Sequence, residues 1–130
     1  MRNLEKNKEE ISYLNYLRNE KLLDSNGHKT GEKKVIYTKA KKIKAHVSGA
    51  KGSSMVEVFG TDISYDKTVL ITRKEFAGSG ITENSVFFIE TPVKYDNGTP
   101  LYDYQVKRIA KTPNEVLIAV KKVSANENHG

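Results

Sequence analysis

The sequence predicts a mainly β protein, folded as a small β-barrel or sandwich with long loops and an extended N-terminal arm. Six or seven short runs of β-prone residues follow one another, and clusters of turn-forming residues separate them. This spacing is typical of small all-β domains. A length of 130 residues suits one domain rather than two, so we expect residues 1–130 to share a single core.

The first strands are predicted from polarity and turn residues. Residues 1–10 are mostly charged and polar, which predicts an arm that stays flexible until assembly. Residues 11–23 have apolar spacings that fit either a helix face or a strand, and we favour the strand because the next segments are β-prone. A turn centred on Asn26-Gly27 is predicted over residues 24–31, with a short β-prone run at 35–37 after it.

Residues 41–47 show the clearest strand pattern in the chain. Apolar and polar side chains alternate there, which places two sets on opposite faces: Ile43, Ala45 and Val47 on one, Lys42, Lys44 and His46 on the other. Residues 48–54 are rich in Gly and Ser and are predicted to form a loop. Residues 55–59 fit a short strand or a packed loop.

The second half of the chain continues the pattern of strands and turns. Strands are predicted at 68–72, 86–89, 104–110 and 116–123. Turns are predicted at 77–80, at Asp96-Asn97-Gly98, which is typical of a hairpin, and around Thr112-Pro113-Asn114. The polar residues 124–130 are expected to form a tail that is flexible until assembly.

Composition excludes several classes of protein. The chain has no Cys, which excludes disulfides and thiolate metal sites. No run of 18 apolar residues is present, so we expect no membrane span, and no signal-peptide pattern follows Met1. We therefore expect a protein that is made and kept inside a cell, or packed into a particle there.

No catalytic or cofactor motif in the chain is complete. Ser48 and Lys51 match S-x-x-K and residues 29–31 match K-T-G, the elements of serine acylases. Their order is reversed, S-D-N is missing, the chain is too short, and Gly49 and Gly52 disfavour the helix that S-x-x-K requires. The three His residues lack metal-binding spacing. We expect neither an enzyme nor a bound cofactor or metal.

Basic residues are the strongest chemical feature. The chain has 22 Lys and Arg against 16 Asp and Glu, a formal net charge of +6. Seven lysines and no acid lie between residues 33 and 56, and a second cluster lies at 107–111. Such a face is either simply solvated or contacts DNA phosphates or an acidic partner. The candidate basic face comprises Lys39, Lys41, Lys42, Lys44, Lys107 and Arg108.

Several stretches resemble a family of small head-completion proteins, the head-closure or stopper proteins of siphophages that infect Gram-positive bacteria. The similar stretches, in order, are MRNLEKNK at 1–8, IKAHVSGAKG at 43–52, FGTDISYDK at 59–67, ITENS at 81–85, and DYQVKRIAK at 103–111, continuing from Asn114 to AVKKV at 119–123. The resemblance covers most of the chain. The link at 93–100 is longer than is usual in the family, and Pro113 stands where an apolar residue is usual.

The resemblance implies a β-barrel subunit in the neck of a virion, assembled in the cytoplasm of the bacterial host. A dodecameric or hexameric ring of such subunits would lie below the portal and adaptor proteins and above the tail terminator or tail tube proteins. It would close the channel, retain the packaged double-stranded DNA without reading its sequence, and dock the tail. The candidate channel or interface loop comprises Ser48, Gly49, Lys51, Gly52, Glu57, Phe59, Gly60, Asp62 and Asp66.

Two other functions fit the sequence. A tail terminator is also a ring protein of the virion, and only its place in assembly would distinguish it. A stand-alone nucleic-acid-binding barrel of the OB type would use the basic residues, with Tyr102 and Tyr104 as base-stacking candidates.

Overall fold

The fold was obtained as a computed structural model, which describes residues 8–23, 26–49, 59 and 64–123. It is mainly β, as predicted, and its core is a small closed β-barrel. The described residues form ten strands and one helix. The strands are β1 Glu9–Leu14, β2 Tyr16–Leu23, β3 Lys29–Tyr37, β4 Lys41–Gly49, β5 Lys67–Thr72, β6 Val86–Phe88, β7 Tyr95–Asp96, β8 Thr99–Pro100, β9 Tyr104–Lys111 and β10 Glu115–Lys122, and the helix is α1 Arg73–Ser79.

Six strands close the barrel in the order β1-β4-β5-β10-β9-β6, and every neighbouring pair is antiparallel. Closure removes the unpaired strand edges that an open sheet would present. The interior is filled by apolar side chains from all six strands. The buried core includes Ile11, Tyr13, Ala45, Val69, Ile71, Phe87, Tyr104, Val106, Val116, Ile118 and Val120.

The alternation predicted for β4 is confirmed. Ala45 is fully buried and Ile43 and Val47 pack against the core, whereas Lys42 and Lys44 are exposed. A period of two is what a strand with one buried face requires. The register follows from the same pattern, because Ile43 lies opposite Ile11 and Val47 lies opposite Val69.

Two further apolar clusters cover parts of the outer barrel wall. Phe59 and Tyr65 pack on Leu117 and Ala119, with ring centroids of the two aromatics 5.3 Å apart. On the wall formed by β1 and β6, Leu14, Val86 and Phe88 are covered by three other side chains: Tyr37, Ala40 and Tyr102. The chain therefore folds back over the barrel in two places.

Asn15 is the point where β1 leaves the barrel wall and the β2–β3 hairpin begins. Its backbone N–H donates to Thr38 Oγ1 at 3.1 Å, and its carbonyl accepts from the Thr38 N–H at 2.8 Å. The buried side chain donates from Nδ2 to the Ser79 carbonyl at 2.9 Å and accepts at Oδ1 from the Ser85 hydroxyl at 2.7 Å. This one amide ties the hairpin to the end of α1 and to the start of β6.

Several predicted boundaries were wrong. Residues 77–80 are not a turn: they contain the end of α1, which begins after a capping box between Thr72 and Glu75 and ends at Ser79, with Gly80 as its C-cap. Ser48 and Gly49 belong to β4, not to a loop, because they pair with Thr68 and Lys67. Residues 11–23 form two strands, and the strand predicted at 35–37 begins at Lys29.

Other predicted elements were close to the observed ones. The Asp96-Asn97-Gly98 turn joins β7 and β8, with positive φ angles of 52° at Asn97 and 82° at Gly98. Gly27 also has a positive φ, of 83°, in the predicted turn before β3. The predicted arm at 1–10 is β1 from Glu9 onward. Residues 1–7, the rest of the predicted loop at 50–54, residues 55–58 and the predicted tail at 124–130 lie outside the described residues.

Substitution at two neighbouring glycines should have opposite effects. Gly80 has a φ of 77°, and a Cβ there would lie 2.9 Å from Asn15 Nδ2. We expect Gly80→Ala to lower the free energy of unfolding by about 1–2 kcal/mol, because the residue is forced into the left-handed region and disturbs Asn15. Gly78→Ala, inside α1 with nothing within 4 Å, should instead raise it by up to about 1 kcal/mol. Urea denaturation of both variants tests this, and equal effects would contradict it.

Candidate interaction surfaces

The predicted basic face is divided between two sides of the barrel. Lys42 and Lys44 lie on the outer face of β4, whereas Lys107 and Arg108 lie on β9. In the six-strand order, β4 and β9 are three strands apart in either direction. The six candidate residues therefore do not form one continuous face, and the two clusters that the sequence shows lie on different sides of the barrel. Adjacency around a barrel depends on long-range strand pairing, which charge spacing along a sequence does not report.

Part of the predicted cluster of basic residues lies on the outer face of β4. Lys42 and Lys44 project outward together, and Lys42 Nζ lies 3.8 Å from the Glu10 carboxylate on β1. Both partners are well exposed, so this ion pair contributes little stability. Lys41 is the first residue of β4 and lies opposite Tyr13, and Lys39 is exposed in the connection before it. Four cations therefore lie between residues 39 and 44, around the start of β4, two of them on its outer face.

Arg108 has a structural role on β9. Its guanidinium donates to the Phe59 carbonyl at 2.8 Å, which fastens the segment before β5 to the barrel wall. Phe59 itself is 2% exposed. Of the candidates for the channel or interface loop, Phe59 therefore has its side chain packed against the barrel wall.

The remaining candidates for the channel or interface loop fall into two groups: some lie in a strand or at the barrel wall, and the others lie outside the described residues. Asp66 is held at the barrel wall: its N–H donates to the Val120 carbonyl at 2.8 Å and its Oδ2 accepts from the Lys122 N–H at 2.8 Å. Ser48 and Gly49 are strand residues. The other predicted loop residues lie outside the described part of the chain: Lys51, Gly52, Glu57, Gly60 and Asp62.

A hydrogen-bonded network that the sequence did not indicate surrounds Glu90. Lys122 Nζ donates to Glu90 Oε1 at 2.8 Å, and the Tyr104 hydroxyl donates to Oε2 at 2.9 Å. Lys67 Nζ lies 3.6 Å from the same carboxylate. Hydrogen bonds from Lys122 and Tyr104 hold the pKa of Glu90 below its ordinary value, while burial and the nearby Glu90 charge raise the pKa of Tyr104.

The two hairpins outside the barrel form a surface that the sequence analysis also missed. They leave opposite ends of the antiparallel barrel, since β2–β3 follows β1 and β7–β8 follows β6. They nevertheless meet on its outside: the Tyr37 and Tyr102 rings are 6.2 Å apart, and Lys34 Nζ lies 3.5 Å from where a Cβ on Gly98 would stand.

Exposed apolar side chains concentrate on these hairpins. Among the described residues, every large hydrophobic side chain that is exposed lies on one of them or just before β7: Tyr16, Leu17, Val35, Val93 and Tyr95. We call these five residues the hairpin surface. The signal in the sequence was the adjacent pair Tyr16-Leu17, because neighbours in a strand point to opposite faces and cannot both enter one core.

A cleft of about 270 Å³ lies beside the hairpin surface, between β3 and the barrel wall. Its lining includes Tyr16, Val35, Tyr37 and Tyr102, with Glu83 and Gln105 as polar groups. Among the residues that the structure describes, no three His, Cys, Asp or Glu side chains group as a metal site requires. Within the same residues, no helix is long and apolar enough to cross a membrane.

The Glu90 network should make stability depend on pH. Because the folded pKa of Glu90 is lowered, its contribution is fully present above its ordinary value of 4.5 and is lost as the pH falls through the folded pKa. We therefore expect the difference in unfolding free energy between the natural chain and Glu90→Gln to be largest near neutral pH and to shrink in acid. Urea denaturation at several pH values measures it, and a difference that stays constant into strong acid would contradict the assignment.

Comparison of the chain with protein-family models, with curated proteins and with solved structures found no match. A functional proposal for this chain is therefore based on the surfaces described above and on the sequence resemblance.

Proposed function

We propose that this protein is a structural subunit of a phage head-to-tail connector. A ring of its copies would lie under the portal and adaptor, close the DNA channel, retain the packaged DNA and offer a docking surface to the tail. The motif resemblance supports this role because it runs through most of the chain in order. The closed six-strand barrel supports it further, since a β-barrel is the fold that the resemblance implies.

The observation that carries the proposal is the position of the exposed apolar side chains and of the cleft. The interior of the closed barrel is lined by buried apolar side chains. The exposed apolar side chains and the cleft lie outside it, on hairpins that extend from the wall. Apolar patches of this kind mark protein–protein contacts. A rigid core with contact-forming extensions suits a subunit that acts by assembling with other chains.

Removal of the protein during phage assembly, followed by electron microscopy of the products, tests the proposal. We expect emptied or DNA-leaking heads beside finished, unattached tails, because the channel would be left open and the tail would lack its docking surface. Restoring the natural chain from a plasmid is the control. DNA-filled heads beside tails of uncontrolled length would favour a tail terminator instead, and normal virions would contradict any connector role.

A second candidate function is nucleic-acid binding by the isolated barrel, and the outer face of β4 favours it. Lys42 and Lys44 point outward from one strand that carries no acidic residue. Cations arranged along a strand can follow a phosphate backbone without reading bases.

The charge-reversed variant Lys42→Glu/Lys44→Glu tests the second candidate. If this face binds DNA, the variant should lose binding to a short duplex in fluorescence anisotropy. Two lost phosphate contacts would also lower the slope of log affinity against log salt by about 2. Lys21→Glu/Lys34→Glu on the β2–β3 hairpin is the matched control, with the same change in charge. Equal affinity of the natural chain and the β4 variant would exclude this face as a DNA site.

A further inference from the structure

The cleft between β3 and the barrel wall is lined by side chains that the strand pairing brings together. Tyr16 and Tyr37 lie directly opposite each other in the β2–β3 pair, so their side chains leave this ribbon on the same face. Val35 lies two residues before Tyr37 in β3 and shares that face. On the other side of the cleft, Val86 and Gln105 lie opposite each other in β6 and β9. One face of the hairpin therefore lies across the cleft from the outer wall of the barrel.

Three tyrosines contribute to the lining of this cleft: Tyr16, Tyr37 and Tyr102. The rings of Tyr37 and Tyr102 are 6.2 Å apart, with an angle of 65° between their planes. The face of an aromatic ring carries partial negative charge and attracts a cation that lies within about 6 Å of its centroid. Burial and the neighbouring Tyr102 raise the pKa of Tyr37, so its hydroxyl adds no charge at neutral pH. The rings therefore favour a cation over an anion in the cleft.

The charge of the cleft is opposite to that of the whole chain, which has a net charge of +6. Among the described residues that line it there is no Lys, Arg or His, and Glu83 is the one charged group. Glu83 is exposed, and within the described part of the chain its carboxylate has no hydrogen bond or ion pair. Lys34 and Lys107 lie in β3 and β9 but do not line the cleft. An unpaired carboxylate therefore stands beside three aromatic rings.

The polar groups of the cleft favour a guanidinium over other organic cations. The Glu83 carboxylate and the side-chain carbonyl of Gln105 are hydrogen-bond acceptors. A guanidinium has five N–H donors in a planar fork, and it stacks on aromatic faces better than the strongly hydrated ammonium of lysine does. A quaternary ammonium has no N–H and would leave both acceptors unused. The volume of about 270 Å³ lies below the roughly 300–1,000 Å³ of pockets for drug-sized ligands, so it suits a single side chain.

An arginine of a different protein is the source that fits this cleft. Free arginine also carries an α-carboxylate, for which the described lining has no cation and which the charge of Glu83 would repel. A second copy of this chain is a poor source, because the arginines among the described residues already donate within their own chain. These are Arg18, Arg73 and Arg108, which donate to the Glu20 carboxylate, the Thr112 carbonyl and the Phe59 carbonyl.

We propose that the cleft binds the arginine side chain of a different protein. The guanidinium packs against the rings of Tyr16, Tyr37 and Tyr102 and donates hydrogen bonds to the Glu83 carboxylate. Gln105 accepts a further hydrogen bond from it. This inference goes beyond the proposed function, since it concerns the chemistry of one site. In a connector, the arginine belongs to a neighbouring protein of the neck.

Titration of the full chain with arginine blocked as an amide at both ends tests the chemistry, with backbone amide NMR as the readout. We expect saturable shifts at residues 83–86 and 102–106 and a dissociation constant of about 1 mM, because one side chain makes few contacts. The blocked citrulline has nearly the same shape without the charge and should bind about tenfold more weakly. No saturable shift, shifts confined to other residues, or equal binding of the two compounds would each overturn the proposal.

Substitutions at exposed residues of the cleft identify the groups that bind. Glu83→Gln should weaken binding of the blocked arginine by about threefold or more, because the charge-assisted hydrogen bond is lost. Tyr16→Leu keeps an apolar side chain but removes the ring and should weaken binding by about two- to fivefold. Glu10→Gln removes an exposed carboxylate on β1 and is the matched control, with an unchanged affinity expected. Equal losses in Glu83→Gln and Glu10→Gln would show a general charge effect and overturn the assignment. The amide spectrum of each variant shows whether the fold is retained.

Two further measurements test the source of the guanidinium. Free arginine should bind more weakly than the blocked form, and tighter binding would indicate a small-molecule site and overturn the proposal. Sedimentation of the natural chain should show no self-association that Glu83→Gln abolishes, because such a result would make a second copy the source. Both measurements are independent of the connector proposal. Arginine binding in the cleft together with normal virions after removal of the protein would end the connector proposal alone.

Discussion

The carboxylate of Asp103 holds the place where the barrel closes. The β6 and β9 strands share only two residue pairs, Val86 with Gln105 and Phe87 with Tyr104, which makes this the shortest contact around the barrel. Asp103 Oδ1 accepts from the Ile89 N–H at 2.9 Å, and Oδ2 accepts from the N–H groups of Glu90 and Thr91 at 2.7 and 3.1 Å. The backbone of Asp103 adds two more hydrogen bonds at this place: its N–H donates to the Phe87 carbonyl, and its carbonyl accepts from the Val123 N–H.

The exposed surfaces depend on this closure and on Asn15. The turn that Asp103 holds places Glu90 against Tyr104 and starts the connection that carries β7–β8. At the other end, Asn15 fixes the direction in which β2–β3 leaves the wall. Buried polar groups with all their partners satisfied define one geometry, and Asn15 and Asp103 are two such groups at the bases of the hairpins.

Local pattern was enough to predict much of the fold. Alternation at 41–47 and the Asn97-Gly98 turn act over a few residues, and both were found as predicted. The short helix α1 was missed because Gly78 and Gly80 indicated a turn, although Thr72 and Glu75 have the spacing of a capping box. The split of the basic face could not be predicted, because strand order around a barrel is set by contacts distant in sequence. Asp103 likewise gave no signal, since its three N–H donors lie 12 to 14 residues away.

The stability and amide exchange of Asp103→Asn test the central claim most directly. An amide NH₂ in place of one carboxylate oxygen would leave one or two of the three N–H groups of residues 89–91 without an acceptor. We expect the free energy of unfolding to fall by about 2–3 kcal/mol, with faster hydrogen exchange at Ile89, Glu90 and Thr91. Asp96→Asn, on exposed β7, should stay within about 0.5 kcal/mol of the natural chain. Unchanged stability and exchange in Asp103→Asn would show that the barrel closes without this carboxylate and would contradict the account.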